Sequence, residues 1–257
     1  MATVLPLLLG RMRNDAGVLV SGASGEMSYP IPGYAVVHER GVVVFDTGLR
    51  DTLMSSTDEL GRLAEVFTID LQPDDLIETR LAAHGIDAAE VTHVVNSHLH
   101  FDHCGRNGPF AAATTVLQTP EREAARPGSF GAYRGTPFEE VADGHVELID
   151  GDHDVFGDGT VVCVSTPGHT AGHQSLLVRE ANRPDADAAL LVGDACYLRR
   201  MLTDSVLPPF GHDQQRQLDS YGLLARYEAD GAQLVFSHDV DNWDQLPAGL
   251  TAAGRGR

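Results

Sequence analysis

Short runs of apolar, mostly β-branched residues punctuate the chain: Gly33–His38, Val42–Asp46, Val91–Ser97, Thr114–Gln118, Val146–Ile149, Thr160–Ser165, Ser175–Val178, Ala188–Val192 and Gln233–Ser237. Most are Val-rich and end at Gly, Pro or Asp, which predicts strands. Helical spacing is clearest in two stretches. In Asp74–His84, Leu76, Ile77, Leu81 and Ala82 share a face and Gly85 supplies the stop; in Asp213–Ala229, Leu218, Tyr221, Leu224 and Ala225 lie on one side. Strands outnumber helices and interleave with them, so the expected fold is α/β (α+β), with sheets packed centrally and helices outside. No repeat with a period of about 20–50 residues and no low-complexity linker divides the sequence. One domain over residues 1–257 is expected, with the small polar tail Thr251–Arg257 frayed. Irregular sequence gathers between the second strand and the helix at Asp74, and in Ser129–Asp143, where loops of such length carry binding function.

Charge then narrows the partners. Lys and Arg number 18 against 37 Asp and Glu, a formal net charge of −19 with His neutral. Such a surface repels phosphate backbones and anionic lipid, so neither nucleic acid nor a membrane is an expected partner. A hydrophobic content of 42% with 21% charged residues is that of a folded globular chain. The apolar stretch Val4–Leu9 is broken by Pro6 and lacks a preceding basic segment, which fits neither a signal peptide nor a membrane span. Cys104, Cys163 and Cys196 cannot all pair with one another, and the expectation is a reducing cytoplasm.

The chemistry concentrates in His98-Leu99-His100-Phe101-Asp102-His103, directly after a predicted strand and just before Gly105. If strand geometry persists, His98 and His100 point to one face and reach one metal, while Asp102 and His103 in the following turn face a second. Imidazole with carboxylate suits Zn²⁺ or another borderline divalent ion; Ca²⁺ and Mg²⁺ want nearly all oxygen.

This segment resembles the HxHxDH signature of the metallo-β-lactamase superfamily. Four more landmarks follow that family's order: Phe45-Asp46-Thr47-Gly48, Thr166-Pro167-Gly168-His169-Thr170, Gly193-Asp194 and Ser237-His238. The resemblance implies a four-layer αββα sandwich with two metals at one edge. It puts His98, His100 and His169 on the first metal, Asp102, His103 and His238 on the second, and Asp194 between them. Asp46 would support a ligand histidine from behind. His173 is either a supporting donor or a structural hydrogen-bonding group in its turn. Cys104 reads as a small filler, and the run Asp150–Asp154 with Asp158 as a solvated turn. His38, His84, His93, His145, His153 and His212 lack partners at ligand spacing and read as structural.

Two metals sharing a carboxylate can hold a water between them and lower its pKa from about 16 toward about 7, so that a bridging hydroxide attacks a carbonyl. Gly193-Asp194-Ala195-Cys196-Tyr197 resembles the N-acyl homoserine lactone lactonases in its tyrosine three positions beyond the aspartate. By that resemblance Tyr197 would donate to the substrate carbonyl, and Asp102 would also deliver the proton to the departing alkoxide. An acyl chain would need an apolar groove, for which Met27, Tyr29, Phe130, Tyr133, Phe138, Met201, Leu202, Leu207 and Phe210 are candidates.

The expected function is therefore a quorum-quenching lactonase carrying two Zn²⁺, with Mn, Fe or Co able to occupy the same donors. The alternative is a hydrolase of another lactone, an ester or a thioester. The acidic balance offers little to an anionic thioester carrier and disfavours a nuclease. A diiron flavoprotein would carry a carboxylate at His100 and an added flavin domain, and a mere metal-stabilised binding module would not need Asp194. Oligomeric state stays open between monomer and homodimer.

Overall fold

A computed structural model of the chain describes residues 2–126, 131–133, 135–136, 145–180, 188–246 and 250–251. Its strands are β1 (Thr3–Asp15), β2 (Glu26–His38), β3 (Gly41–Phe45), β4 (Thr68–Asp70), β5 (Val91–Val95), β6 (Thr114–Gln118), β7 (His145–Ile149), β8 (His153–Asp154), β9 (Val161–Ser165), β10 (Gln174–Val178), β11 (Ala189–Gly193), β12 (Gln233–Phe236) and β13 (Leu250–Thr251). The helices are α1 (Ile77–Ala83), α2 (Thr119–Ala124), α3 (Arg199–Asp204), α4 (Gln214–Ala229) and α5 (Val240–Asp244). One sheet runs β13-β1-β2-β3-β5-β6-β7, with β4 also on β1; the other runs β12-β11-β10-β9-β8.

Alternate residues of each central strand bury opposite faces. Tyr34, Val36, Val43, Phe45 and Val95 of the larger sheet meet Cys163, Leu176, Val178, Leu191 and Val235 of the smaller in one buried cluster. Their neighbours Val42, Val44, Val94, Leu177, Leu190 and Leu234 are also buried, in a cluster that takes in Ile77 and Leu81 of α1 with Tyr221 and Leu224 of α4. Burial on both faces is why these strands read as continuous apolar runs instead of alternating. Two packed sheets with helices outside is the layering that the pattern predicts.

Three features differ from that reading. The strand β1 spans 13 residues although Pro6 interrupts its apolar run. Among the described residues, on the side of β1 away from β2, β13 pairs only at Thr3 and Val4, and β4 only at Arg11 to Arg13. On that side a missing N–H at Pro6 breaks no ladder bond among the described residues. The helix expected over Asp74–His84 is split, because Leu76 is extended (ψ 139°) between a 3₁₀ turn at Pro73–Asp75 and α1. In α4, Leu218 is exposed, and the buried face is Gln217, Ser220, Tyr221 and Leu224. Polar residues occupy that face because they tie the helix to the loops at the strand ends: Gln217 Nε2 donates to the Ala195 carbonyl (3.2 Å) and Ser220 Oγ to that of Pro167 (2.7 Å).

The approach of α4 to the loop after β9 requires glycine at position 168. Its φ is +137°, and a Cβ there would stand 2.3 Å from the Gln217 backbone nitrogen. Gly168→Ala is expected to cost about 2 kcal/mol and to lower the calorimetric midpoint by about 4–8 °C. An unchanged midpoint would show that the loop relaxes freely.

Candidate metal centre

The loops that follow β3, β5, β9, β11 and β12 meet at one edge of the sandwich. Three groups of side chains converge there, each with ligand atoms within 4.8 Å of one another: His98, His100 and His169; His98, His103 and Asp194; Asp102, His103 and His238. All seven residues are buried or nearly so. His169 Nε2 lies 3.2 Å from His98 Nε2 and 3.1 Å from His100 Nδ1. Asp194 Oδ2 is 3.6 Å from His169 Nε2 and 3.3 Å from His103 Nε2, and its Oδ1 is 3.2 Å from His238 Nε2. Asp194 thus stands between a three-histidine group and the group that holds Asp102, 3.6 Å from His103 Nε2.

These distances test whether the residues fit metal ions. Ligands at about 2.0–2.1 Å in a tetrahedral site sit about 3.3 Å apart, close to the spacing of the three histidines. His103 Nε2 is more telling: it is buried without a hydrogen bond, although two carboxylates are near. A buried nitrogen without a well-formed hydrogen bond, 3.3 Å from Asp194 Oδ2 and 3.6 Å from Asp102 Oδ2, is in a position that a cation would satisfy. Imidazoles with two carboxylates are the donors of borderline divalent ions. The residues fit a dinuclear site.

Behind the cluster, hydrogen bonds hold the rings of His98, His103 and His238. Asp46 takes φ 60°, a left-handed conformation rare for a residue with a side chain, and this turn directs its carboxylate inward. Oδ2 accepts from His103 Nδ1 at 2.8 Å and from Ser97 Oγ at 2.8 Å, and Oδ1 from the Ser97 N–H at 2.7 Å. Ser97 Oγ also contacts His98 Nδ1 (2.9 Å), so one carboxylate orients two rings. His238 Nδ1 donates to the Pro30 carbonyl (3.0 Å). His173 is outside the ligand groups: its Nε2 accepts the Asp194 backbone N–H (2.9 Å), leaving Nδ1–H for Thr166 Oγ1 (2.9 Å). Gly193 permits this contact, because a Cβ there would lie 2.8 Å from His173 Nε2.

Electrostatics separate the ligands. Burial pushes His98 well below its ordinary value, and pushes His100 and His169 down to about 3. These three are neutral at physiological pH, with lone pairs free to bind a cation. Burial opposes the charge on His103 too, but Asp194, Asp102 and Asp46 outweigh it and raise its pKa. Burial likewise opposes ionisation of Asp194, yet His103 and His238 hold its carboxyl well below the usual range. Burial pushes Asp102 up.

Residues 30–238 match the family described as the metallo-beta-lactamase superfamily. The chain belongs to this superfamily. It is 34% identical to the N-acyl homoserine lactonase AttM of Azorhizobium caulinodans over 234 residues, 86% of each chain. It is 29% identical over 224 residues to the N-acyl homoserine lactonase AiiA of Bacillus thuringiensis subsp. kurstaki, 84% of this chain and 83% of that one. A solved N-acyl homoserine lactone hydrolase with the product N-hexanoyl-L-homoserine at its catalytic metal centre has a TM-score of 0.79 at 25% identity, covering 95% of this chain and 96% of that one. The dizinc quorum-quenching lactonase AidC shares the fold, with a TM-score of 0.69 at 15% identity over 93% and 88% of the two chains.

Within this superfamily member, the groove candidates divide. Tyr29, Tyr197 and Phe210 line the pocket over the cluster together with Met12, Leu19, Phe67 and Ala132. Tyr133 lies against His100, ring centroids 4.8 Å apart. Met27 instead lines a neighbouring cavity with Leu198 and Arg200, and Met201 is buried in the core, with Leu202 and Leu207 packed against the same cluster. Phe130 and Phe138 lie outside the described residues.

Glu121 is absent from the sequence reading. It is 1% exposed, and burial raises its pKa. Its Oε1 accepts the Leu99 N–H (2.9 Å) and the Tyr133 hydroxyl (3.0 Å), and its Oε2 the Gly172 N–H (3.1 Å). One carboxylate therefore joins the His98–His100 segment to the loop after His169. Its only sequence signal is a glutamate in the first turn of α2, an ordinary helix-start residue.

Asp46→Asn keeps the shape but removes the charge that holds the His103 and His98 rings. The expected result is a roughly 10–100-fold weaker affinity for zinc in competition with a chelator; unchanged affinity would show that the rings are held by packing alone.

Proposed function

We propose that the protein is an N-acyl homoserine lactonase, a metal-dependent hydrolase that opens the lactone ring of N-acyl homoserine lactones to the N-acyl homoserine. His98, His100 and His169 would hold one divalent cation and Asp102, His103 and His238 a second, with Asp194 placed to serve both. Zinc is the proposed metal, on the strength of the histidine-rich donor set, with Mn, Fe or Co alternatives by availability. Three free, buried cysteines accord with a reducing cytoplasm, and among the described residues no helix is long and apolar enough to cross a membrane.

The observation that carries this reading is the place of Tyr197. Its hydroxyl is 3.3 Å from His169 Nδ1, and it lines the pocket above the cluster. With His169 Nε2 turned to the other histidines, Nδ1 carries the hydrogen and donates to the phenol oxygen, so the phenol's own O–H remains for a ligand. Burial, with Asp194 and Asp102 nearby, raises the Tyr197 pKa well above its ordinary value, keeping the phenol protonated. It is a fixed donor toward the carbonyl oxygen on which charge builds as the ring opens.

When bound, the two cations supply Lewis acidity toward a carbonyl oxygen and make water acidic enough to ionise near neutral pH. The chain does the rest. Asp46, Ser97, Pro30 and His173 hold the ligands in one geometry, so little reorganisation accompanies the reaction. Asp102, at the floor of the pocket, carries a proton to the departing ring oxygen. The same site can act on other lactones or esters, whereas an acidic surface offers little to a thioester on an anionic carrier.

A pH-stat panel of N-acyl homoserine lactones, γ-lactones, aryl esters and a glutathione thioester tests the assignment, with the highest kcat/KM expected on an N-acyl homoserine lactone. Tyr197→Phe is expected to lower kcat about 100-fold with metal content unchanged. Preference for the thioester would overturn the substrate class, and an unaltered rate would remove Tyr197 from the chemistry.

A further inference from the structure

A second phenol reaches the cluster from β2. Tyr29 is fully buried, and its hydroxyl has no hydrogen-bond partner among the described residues. Its ring stands edge-on to that of His238, centroids 4.9 Å apart, and it lines the same pocket as Asp102, Asp194 and Tyr197. The next residue is Pro30, whose carbonyl accepts from His238 Nδ1 at 3.0 Å. One stretch of β2 thus fixes His238 from behind and sets Tyr29 beside it.

An apolar wall for an acyl chain would be better made with phenylalanine, since an unpaired buried hydroxyl carries a desolvation penalty. Both rings pack near His238, with centroids at 4.9 Å for Tyr29 and 5.5 Å for Tyr197, and the phenols differ at their hydroxyls: that of Tyr197 contacts His169 Nδ1, whereas that of Tyr29 has no partner among the described residues. Ester cleavage needs stabilisation at two oxygens, the carbonyl oxygen during attack and the leaving oxygen during bond scission.

We propose that Tyr29 is a catalytic residue whose hydroxyl donates a hydrogen bond to the leaving oxygen, on the Asp102–His103–His238 side, while Tyr197 serves the carbonyl oxygen on the other. This rests on the lactonase reading. Water's oxygen forms the new bond to the acyl carbon, and the ring C–O bond breaks with its electron pair passing to the ring oxygen. That oxygen takes one of the water's protons by way of Asp102. The other is released as the carboxylate forms, and Tyr29 keeps its own. A homoserine alkoxide bears its charge on one oxygen, whereas an aryl oxide spreads it over a ring. The hydrogen bond therefore matters for alkyl leaving groups and little for aryl ones.

Tyr29→Phe removes one unpartnered oxygen and leaves the packing intact. Zinc-loaded wild type and variant would be compared on N-hexanoyl homoserine lactone and on 4-nitrophenyl acetate. Zinc content would be measured in both, and affinity for ring-opened N-hexanoyl homoserine by calorimetry. The expected result is a roughly tenfold lower kcat on the lactone, less than about a twofold change on the aryl ester, weaker product binding and unaltered zinc. Equal changes on the two substrates, or an unchanged lactone rate, would overturn the assignment. If wild type opens no N-acyl homoserine lactone, the lactonase reading fails. Ethyl acetate against 4-nitrophenyl acetate then decides Tyr29 separately, by the same difference between alkyl and aryl leaving groups.

Discussion

Five imidazoles and two carboxylates are crowded together, largely buried, at the base of one pocket, and that crowding is the constraint on which the rest depends. Histidine nitrogens 3.1–3.2 Å apart have the spacing of donors around a single cation. Removing two carboxylates from water costs several kcal/mol per ion unless they are paired. A pair of divalent cations would satisfy all seven groups at once.

The scaffold holds this arrangement by fixing loop ends. Strands buried on both faces make a rigid base, and five of them release their loops at one edge. Asp46 takes a left-handed backbone conformation there, of the kind that surrounding structure must sustain; its carboxylate bonds, taken up by Ser97 and His103, supply part of that restraint. Glu121 works at the other flank, binding two loop amides and the Tyr133 hydroxyl. These two buried carboxylates, neither in the three converging groups, help to set where the clustered side chains point.

The central strands were legible because double burial leaves near-continuous apolar runs, edge strand β7 being largely exposed, and the convergence of donors because His98 to His103 place four of them in six positions. What escaped was non-local. The length of β1 is hidden by Pro6, which interrupts its apolar run and has a strand partner among the described residues on the β2 side alone. The buried face of α4 carries Gln217 and Ser220 because it meets loop carbonyls, so apolar spacing chose the exposed Leu218 instead. Glu121 looks like any first-turn glutamate, since its partners at Leu99 and Gly172 lie 22 and 51 positions away. Tyr29 was legible as a pocket residue, but only the structure shows its hydroxyl without a partner in a pocket that Asp102 and Asp194 also line.

The cation cage is tested most directly by elemental analysis of natively purified protein, followed by calorimetric titration of metal into chelator-stripped protein. Two equivalents of divalent cation per chain are predicted in the native material, with two bound again on titration. A stoichiometry of one or none, with the histidine cluster still folded, would contradict the account.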